Sequence, residues 1–171
     1  WEAALPAPPT GTPALAGDAT IYVVIDGGLV AVTPDGQVRW QFASDDAGAA
    51  GGALVGPSGD VYYKSPGSLV AVHPDGSLGW KTPTTGTVMV DTPRVSADGQ
   101  TVYWRNLAFD AADGSPTSAG LGLAPQGIPL VQAVVACDGQ LYWQYDVWLL
   151  RDVGEGVTLE EATVVNWEAY T

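Results

Sequence analysis

A unit of about forty residues recurs along this chain, and a period of that length commits a sequence to a repeat architecture. The runs Thr20 to Val24, Asp60 to Lys64, Thr101 to Arg105 and Gln140 to Gln144 align on Tyr22, Tyr62, Tyr103 and Tyr142, spaced 40, 41 and 39 residues apart. Downstream, LVAVTPDGQVRW (Leu29 to Trp40) matches LVAVHPDGSLGW (Leu69 to Trp80) at an offset of 40. A third copy survives as LAFDAADGSP, Leu107 to Pro116, and a degenerate fourth as VWLLRDVGEG, Val147 to Gly156. Within the first copy the pattern predicts four short strands, over Pro13 to Ala16, Thr20 to Ile25, Gly28 to Thr33 and Gln37 to Phe42, each bounded by Gly, Pro or Asp.

The turns between them have a mechanism. In Pro34-Asp35-Gly36 and Pro74-Asp75-Gly76, proline presets φ at the first turn position and glycine accepts the positive φ that closes a tight hairpin. None of the Asp-Gly pairs carries the acidic spacing and distal Glu of a calcium loop, so they are read as turns. Four-stranded sheets repeated every forty residues are the blades of a β-propeller. A Greek-key sandwich does not repeat its strand sequences, and a helical solenoid needs a helical period. Only Leu159 to Val165 suits a helical turn as well as a strand.

The expected fold is therefore all-β, a β-propeller of four-stranded antiparallel blades, with about four blades forming part of a seven- or eight-bladed ring. The blades fall at residues 12–43, 52–82, 91–120 and, degenerate, 130–171. Trp1-Glu2-Ala3 resembles Trp167-Glu168-Ala169, which makes residues 1–5 the last strand of a preceding blade. Unpaired sheet edges at both ends are an aggregation hazard in water, so a protein partner or self-association is expected to close them.

Charge and composition exclude several functions. Six basic against nineteen acidic residues give a net charge of −13, which repels nucleic acid and anionic lipid. There is no apolar run long enough to span a membrane. One Cys and one His cannot build a His- or Cys-rich zinc site or an intrachain disulfide.

The repeats resemble the PQQ-like, quinoprotein-type propellers, whose blade signature runs Ala-x-Asp-x-x-x-Gly-x-x-x-Trp. Ala31, Gly36 and Trp40, like Ala71, Gly76 and Trp80, fit a hairpin one residue shorter than that signature, with Thr33 and His73 in place of its Asp. Ala108, Asp110 and Gly114 fit at full length, with Ser118 at the Trp position. The resemblance implies that Trp40 and Trp80, and by the same alignment Trp1 and Trp167, dock neighbouring blades through their rings. It also implies a non-enzymatic scaffold or interaction module, set outside the cytoplasm in a larger assembly and without a cofactor. Two alternatives stand beside it, a fragment of a PQQ-dependent dehydrogenase and a ligand-sensing propeller domain of a receptor. The dehydrogenases of the family need a complete ring, a metal site and often a vicinal disulfide, which a single Cys cannot form.

Candidate chemistry is sparse. His73 stands where the first copy has Thr33, at a turn entrance, and is read as a turn residue. Cys137 lies in a hairpin with no neighbouring cation to activate it. Asp45 and Asp46 follow the Trp40 strand and form one candidate interaction loop. Glu155, Glu160 and Glu161 form a second in the irregular fourth blade.

Overall fold

The structure, a computed structural model, describes residues 1–46, 48, 51–84, 91–105, 107–117, 132–135, 141–145, 148–151 and 163–164. The described residues are all strand, turn or extended chain, without a helix. The chain divides into two compact units, one of Trp1–Pro93 with Ala112–Gly114 and one of Arg94–Ala111 with Ser115–Thr171.

The first unit holds two four-stranded antiparallel sheets, each a simple meander. One is β1 (Ala14–Leu15), β2 (Ile21–Ile25), β3 (Gly28–Val32) and β4 (Val38–Ala43), and the other is β5 (Ala53–Val55), β6 (Val61–Lys64), β7 (Ser68–Val72) and β8 (Leu78–Pro83). The predicted strands of the first copy thus form within one or two residues of their expected bounds. β3 and β7 are buried along their whole length, as central strands covered on both faces must be. β4 is half open, as an outermost strand.

The two proline-aspartate-glycine turns share one geometry. Gly36 N–H donates to Thr33 O at 2.9 Å and Thr33 N–H to Gln37 O at 2.8 Å, matched by Gly76 to His73 and His73 to Ser77, both at 2.9 Å. Gly36 and Gly76 have φ of 85° and 89°, and each ladder slips by one residue just before the turn. This is a type I turn closed by a left-handed glycine and a bulge, the three-residue hairpin that glycine makes strain-free.

The core of this unit lies between its sheets. Tyr22, Val24, Leu29 and Ala31 of the first sheet pack against Ala53, Val61, Tyr63, Val70 and Val72 of the second, with Trp40 and Phe42 at the margin. Strand alternation sends the opposite face of the first sheet, Ile21, Val23, Ile25, Val30 and Val32, the other way. Ala3, Leu5 and Ala7 pack on that face. Residues 1–5 are extended but lie in no sheet; pairing begins at Pro9, which bridges Ile25.

The second unit holds a three-stranded sheet of β9 (Arg94–Val95), β10 (Thr101–Trp104) and β11 (Leu107–Asp110), and a four-stranded sheet of β12 (Gln132–Val135), β13 (Leu141–Tyr145), β14 (Trp148–Arg151) and β15 (Thr163–Val164). Asp110 N–H donates to Ser115 O and Thr117 N–H to Ala108 O, both at 2.8 Å, so Pro116 forms a single bridge with Phe109 at the edge of β11. The ambiguous segment Leu159 to Val165 contributes strand β15.

Candidate functional site

The tryptophans are placed by the repeat. Trp40 leaves β4 and lays its ring on the Pro74 to Gly76 turn of the second sheet, where the indole N–H donates to Pro74 O at 2.9 Å. A methyl carbon on Gly76 would lie 2.8 Å from Trp40 Cδ2, so glycine is required there by the ring as well as by its φ. Trp1 meets Gly36 in the same way, with a methyl carbon at Gly36 falling 2.5 Å from its Cε3, and Trp80 meets Gly114, 2.5 Å from its Cδ2. Tyr22 and Tyr62 flank Trp40 and Trp80, with ring centroids 5.7 and 5.9 Å apart. Trp80 is 7% exposed and Trp1 72%. Trp167 lies outside the described residues.

Asp45 and Asp46 sit beyond the end of β4, beside the β6–β7 turn. Both face Lys81 of β8: Asp45 pairs with its ammonium, and Asp46 Oδ2 is 3.2 Å from it. Ser65 Oγ also donates to Asp46 Oδ2 at 2.7 Å. That hydrogen bond, then the Lys81 ammonium, holds the Asp46 carboxyl below the usual carboxylate range. Asp45 is lowered chiefly by its hydrogen bond from Lys81, and Lys81 is raised by the same bond. The loop is thus an ion-paired clasp across two strand ends, with Asp45 open to solvent and Asp46 largely enclosed. Glu155, Glu160 and Glu161 lie outside the described residues, as does Cys137.

Behind the clasp, Lys64 is buried at the end of β6, its ammonium donating to the carbonyls of Ser65 and Pro66. Burial pushes the neighbouring Tyr63 phenol up to about 12. Neither Lys81 nor Ser65 was singled out by the sequence, because their partners come from a different copy of the repeat. The repeat does carry a signal for Gly36, Gly76 and Gly114, which recur in register, although nothing local says that a ring from the copy before rests on each.

His73 binds Asp60 through Nδ1 at 2.7 Å, and Ser58 Oγ donates to the other oxygen of Asp60 at 2.8 Å. The carboxylate therefore stands between the hydroxyl and the imidazole, so His73 is not placed to act as the base of a serine–histidine pair with Ser58. Four further turn aspartates are satisfied locally. Asp18 accepts from Thr20 N–H, Asp35 from Thr33 Oγ, Asp75 from Ser77 N–H and Oγ, and Asp98 from Ser96 Oγ and Gln100 N–H. Among the described residues no three His, Cys, Asp or Glu side chains gather as a metal site. No helix there is long and apolar enough to cross a membrane.

Comparison with known proteins agrees with this architecture. The PQQ_2 family model, for outer membrane protein assembly factor BamB, matches residues 1–119. No curated protein matches the chain in sequence. Among solved structures, virginiamycin B lyase from Staphylococcus aureus is similar with a TM-score of 0.66 and 14% identity, over 93% of this chain and 56% of that one. BamB from Moraxella catarrhalis is similar with a TM-score of 0.63 and 19% identity, over 85% of this chain and 50% of that one. The extracellular domain of a two component system protein from B. thetaiotaomicron gives 0.65 and 13%, over 92% of this chain and 22% of that one. The chain spans about half the length of the lyase and of BamB, and the likeness shows a β-propeller fold.

Proposed function

Because the chain belongs to the PQQ-like repeat family represented by outer membrane protein assembly factor BamB, we propose that it serves as a rigid propeller scaffold for protein contacts, outside the cytoplasm and within a larger assembly. The observation that carries this reading is the chain of ring-on-turn contacts, Trp1 on Gly36, Trp40 on Gly76 and Trp80 on Gly114. Each seats a bulky ring in one orientation on a hairpin turn distant in sequence, the property a platform needs. BamB is by name an outer membrane protein assembly factor, and another similar fold is an extracellular domain. Both favour the setting proposed here.

The family name implies a quinone cofactor, and the described residues do not fit one. Asp45 and Asp46 are directed at Lys81, Asp60 holds His73 and Ser58, Asp26 accepts from Gly48 N–H, and Asp18, Asp35, Asp75 and Asp98 accept hydrogen bonds from their own turns. A ligand-sensing role is the second reading, favoured by the two component system domain. Titrating the protein with PQQ and calcium separates scaffold from dehydrogenase. The scaffold reading expects the quinone spectrum to stay that of free PQQ; a saturable spectral change with electron transfer from an alcohol overturns it.

A further inference from the structure

The clasp of Asp45, Asp46, Ser65 and Lys81 is built where the repeat is not kept. Forty residues away from these four the sequence has Thr85, Gly86, Ile25 and Gln41, and Val23 stands in the place of Tyr63. Positions that build the sheets do recur, as Tyr22 and Tyr62 or Gly36 and Gly76 do, so the clasp is an addition to the fold and not one of its requirements. It is also firmly mounted. Ser44 N–H donates to Gly27 O and Gly48 N–H to Asp26 Oδ1, both at 2.8 Å, and Asp46 N–H donates to Ser44 Oγ at 3.2 Å. The loop after β4 is thus pinned on either side of its two carboxylates.

Beside these carboxylates is a hydrogen-bonding group that nothing meets. Tyr63 of β6 is 1% exposed, and its hydroxyl has no hydrogen-bond partner. Burial holds its phenol protonated up to about 12, and its polar neighbours are Ser44, Asp46 and Asp45. A buried hydroxyl left without a partner costs stability, so this one marks an unfilled place next to the acidic pair. Lys81 answers both carboxylates with its ammonium and leaves the Tyr63 hydroxyl unmet. With Asp45 84% exposed and Lys81 23%, the lysine sits at the mouth of the clasp, within reach of solvent.

We infer that Asp45, Asp46 and the Tyr63 hydroxyl form a receptor for an arginine guanidinium of a basic partner protein, with Lys81 holding the site in the free chain and swinging out when the partner docks. The inference rests on the reading of the chain as an interaction scaffold and gives that scaffold a partner chemistry. The Lys81 ammonium already shows that the site takes a cation. A guanidinium fits it better, because its planar fork of five N–H donors bridges two carboxylates and still has a donor for a hydroxyl oxygen. It is also more weakly hydrated than an ammonium, so it enters a half-enclosed site at a smaller desolvation cost. The net charge of −13 draws a basic partner toward the chain. Other turn carboxylates are occupied: Asp60 by His73 and Ser58, Asp26 by Gly48, and Asp18, Asp35, Asp75 and Asp98 by their own turns.

The test titrates the full chain with a capped glycine-arginine-glycine tripeptide, followed by the backbone amide NMR shifts, with the lysine tripeptide as comparison. The expected result is a saturable shift centred on Ser44, Asp45, Asp46 and Ser65, weaker for the lysine peptide and weakening with salt. Lys81→Met removes the competing cation and should tighten the arginine peptide about twofold to fivefold, the range of an exposed ion pair. Asp46→Asn should weaken it about tenfold. Tyr63→Phe separates a ligand group from a structural one: it should weaken the peptide by about twofold to tenfold while leaving the urea midpoint no lower, since the hydroxyl has no partner to lose in the free chain. The proposal is overturned if no saturable shift appears, if Asp18, Asp35 and Asp75 shift as much as the clasp, or if the lysine peptide binds equally well. It is equally overturned if Lys81→Met fails to tighten binding, or if Tyr63→Phe lowers the urea midpoint or leaves binding unchanged. None of these outcomes depends on the PQQ titration, so the two readings fail separately.

Discussion

Replacing Gly76 by alanine tests the ring-on-turn contact most sharply, because two costs act at one atom. The left-handed backbone, φ 89°, costs an alanine about 1 to 2 kcal/mol. The new methyl would also lie 2.8 and 3.0 Å from Trp40 Cδ2 and Cγ, so the ring must move and strain its bond to Pro74. Overpacking of this kind costs about 1 to 3 kcal/mol more. Gly27 supplies the control, since it has φ 78° but open space where a methyl would go, so Gly27→Ala incurs only the backbone term. Urea unfolding followed by tryptophan fluorescence should therefore show Gly76→Ala to be worse than Gly27→Ala by about 1 to 3 kcal/mol. In a Trp40→Ala background the excess should vanish, which a double-mutant cycle reads as a coupling energy of that size. Equal losses at Gly76 and Gly27, or an excess that survives removal of Trp40, would refute the reasoning.

Other perturbations have equally definite outcomes. Ala19 has φ 64° in a turn where the later copies use Gly59 and Gly99, so Ala19→Gly relieves left-handed strain and should raise stability by up to about 1 kcal/mol after the added chain entropy is subtracted; an unchanged or lower urea midpoint contradicts this. Trp40→Phe keeps a ring but loses the donor to Pro74 and should cost about 1 kcal/mol, and no loss in urea unfolding would remove that bond from the account. Asp46 has a lowered carboxyl, so its contribution is fully present above the unfolded value of about 3.9 and is lost as pH falls through the lower folded one. The stability gap between wild type and Asp46→Asn, measured by urea unfolding at several pH values, should therefore be constant near neutrality and shrink below pH about 4; a gap that widens on acidification would reverse the sign. Lys81→Met should raise the Asp46 carboxyl toward its ordinary range, read by NMR titration, and an unmoved titration would show that Ser65 alone holds it.

Much of the fold was legible because it is local. Pro34-Asp35-Gly36 and Pro74-Asp75-Gly76 specify their hairpins within five residues, and the alternation around Tyr22 and Tyr62 sets which side chains face inward. The candidate surfaces were less legible because their partners come from another copy of the repeat. Asp45 and Asp46 read as one acidic loop in sequence, yet Lys81, 36 residues from Asp45, pairs with both. Their adjacency also hides a difference, since one is open and the other enclosed. The same nonlocality conceals Gly36, whose turn role is visible in sequence while its second role, as the seat of Trp1, depends on chain 35 residues earlier. Residues 115–117 follow a looser rule: Pro116 argues against a strand, but pairing through Thr117 N–H and Ser115 O leaves its missing donor unused.

The central claim, that this chain is an interaction scaffold, is tested most directly by oxidative footprinting of the protein in its native assembly against the isolated chain, in which Trp1 and Leu15 are exposed. The account predicts that Trp1, Leu15, Ile21 and Val23 become protected in the assembly while Val38 and Leu78 stay reactive. Equal reactivity of Trp1 and Leu15 in both states would contradict it.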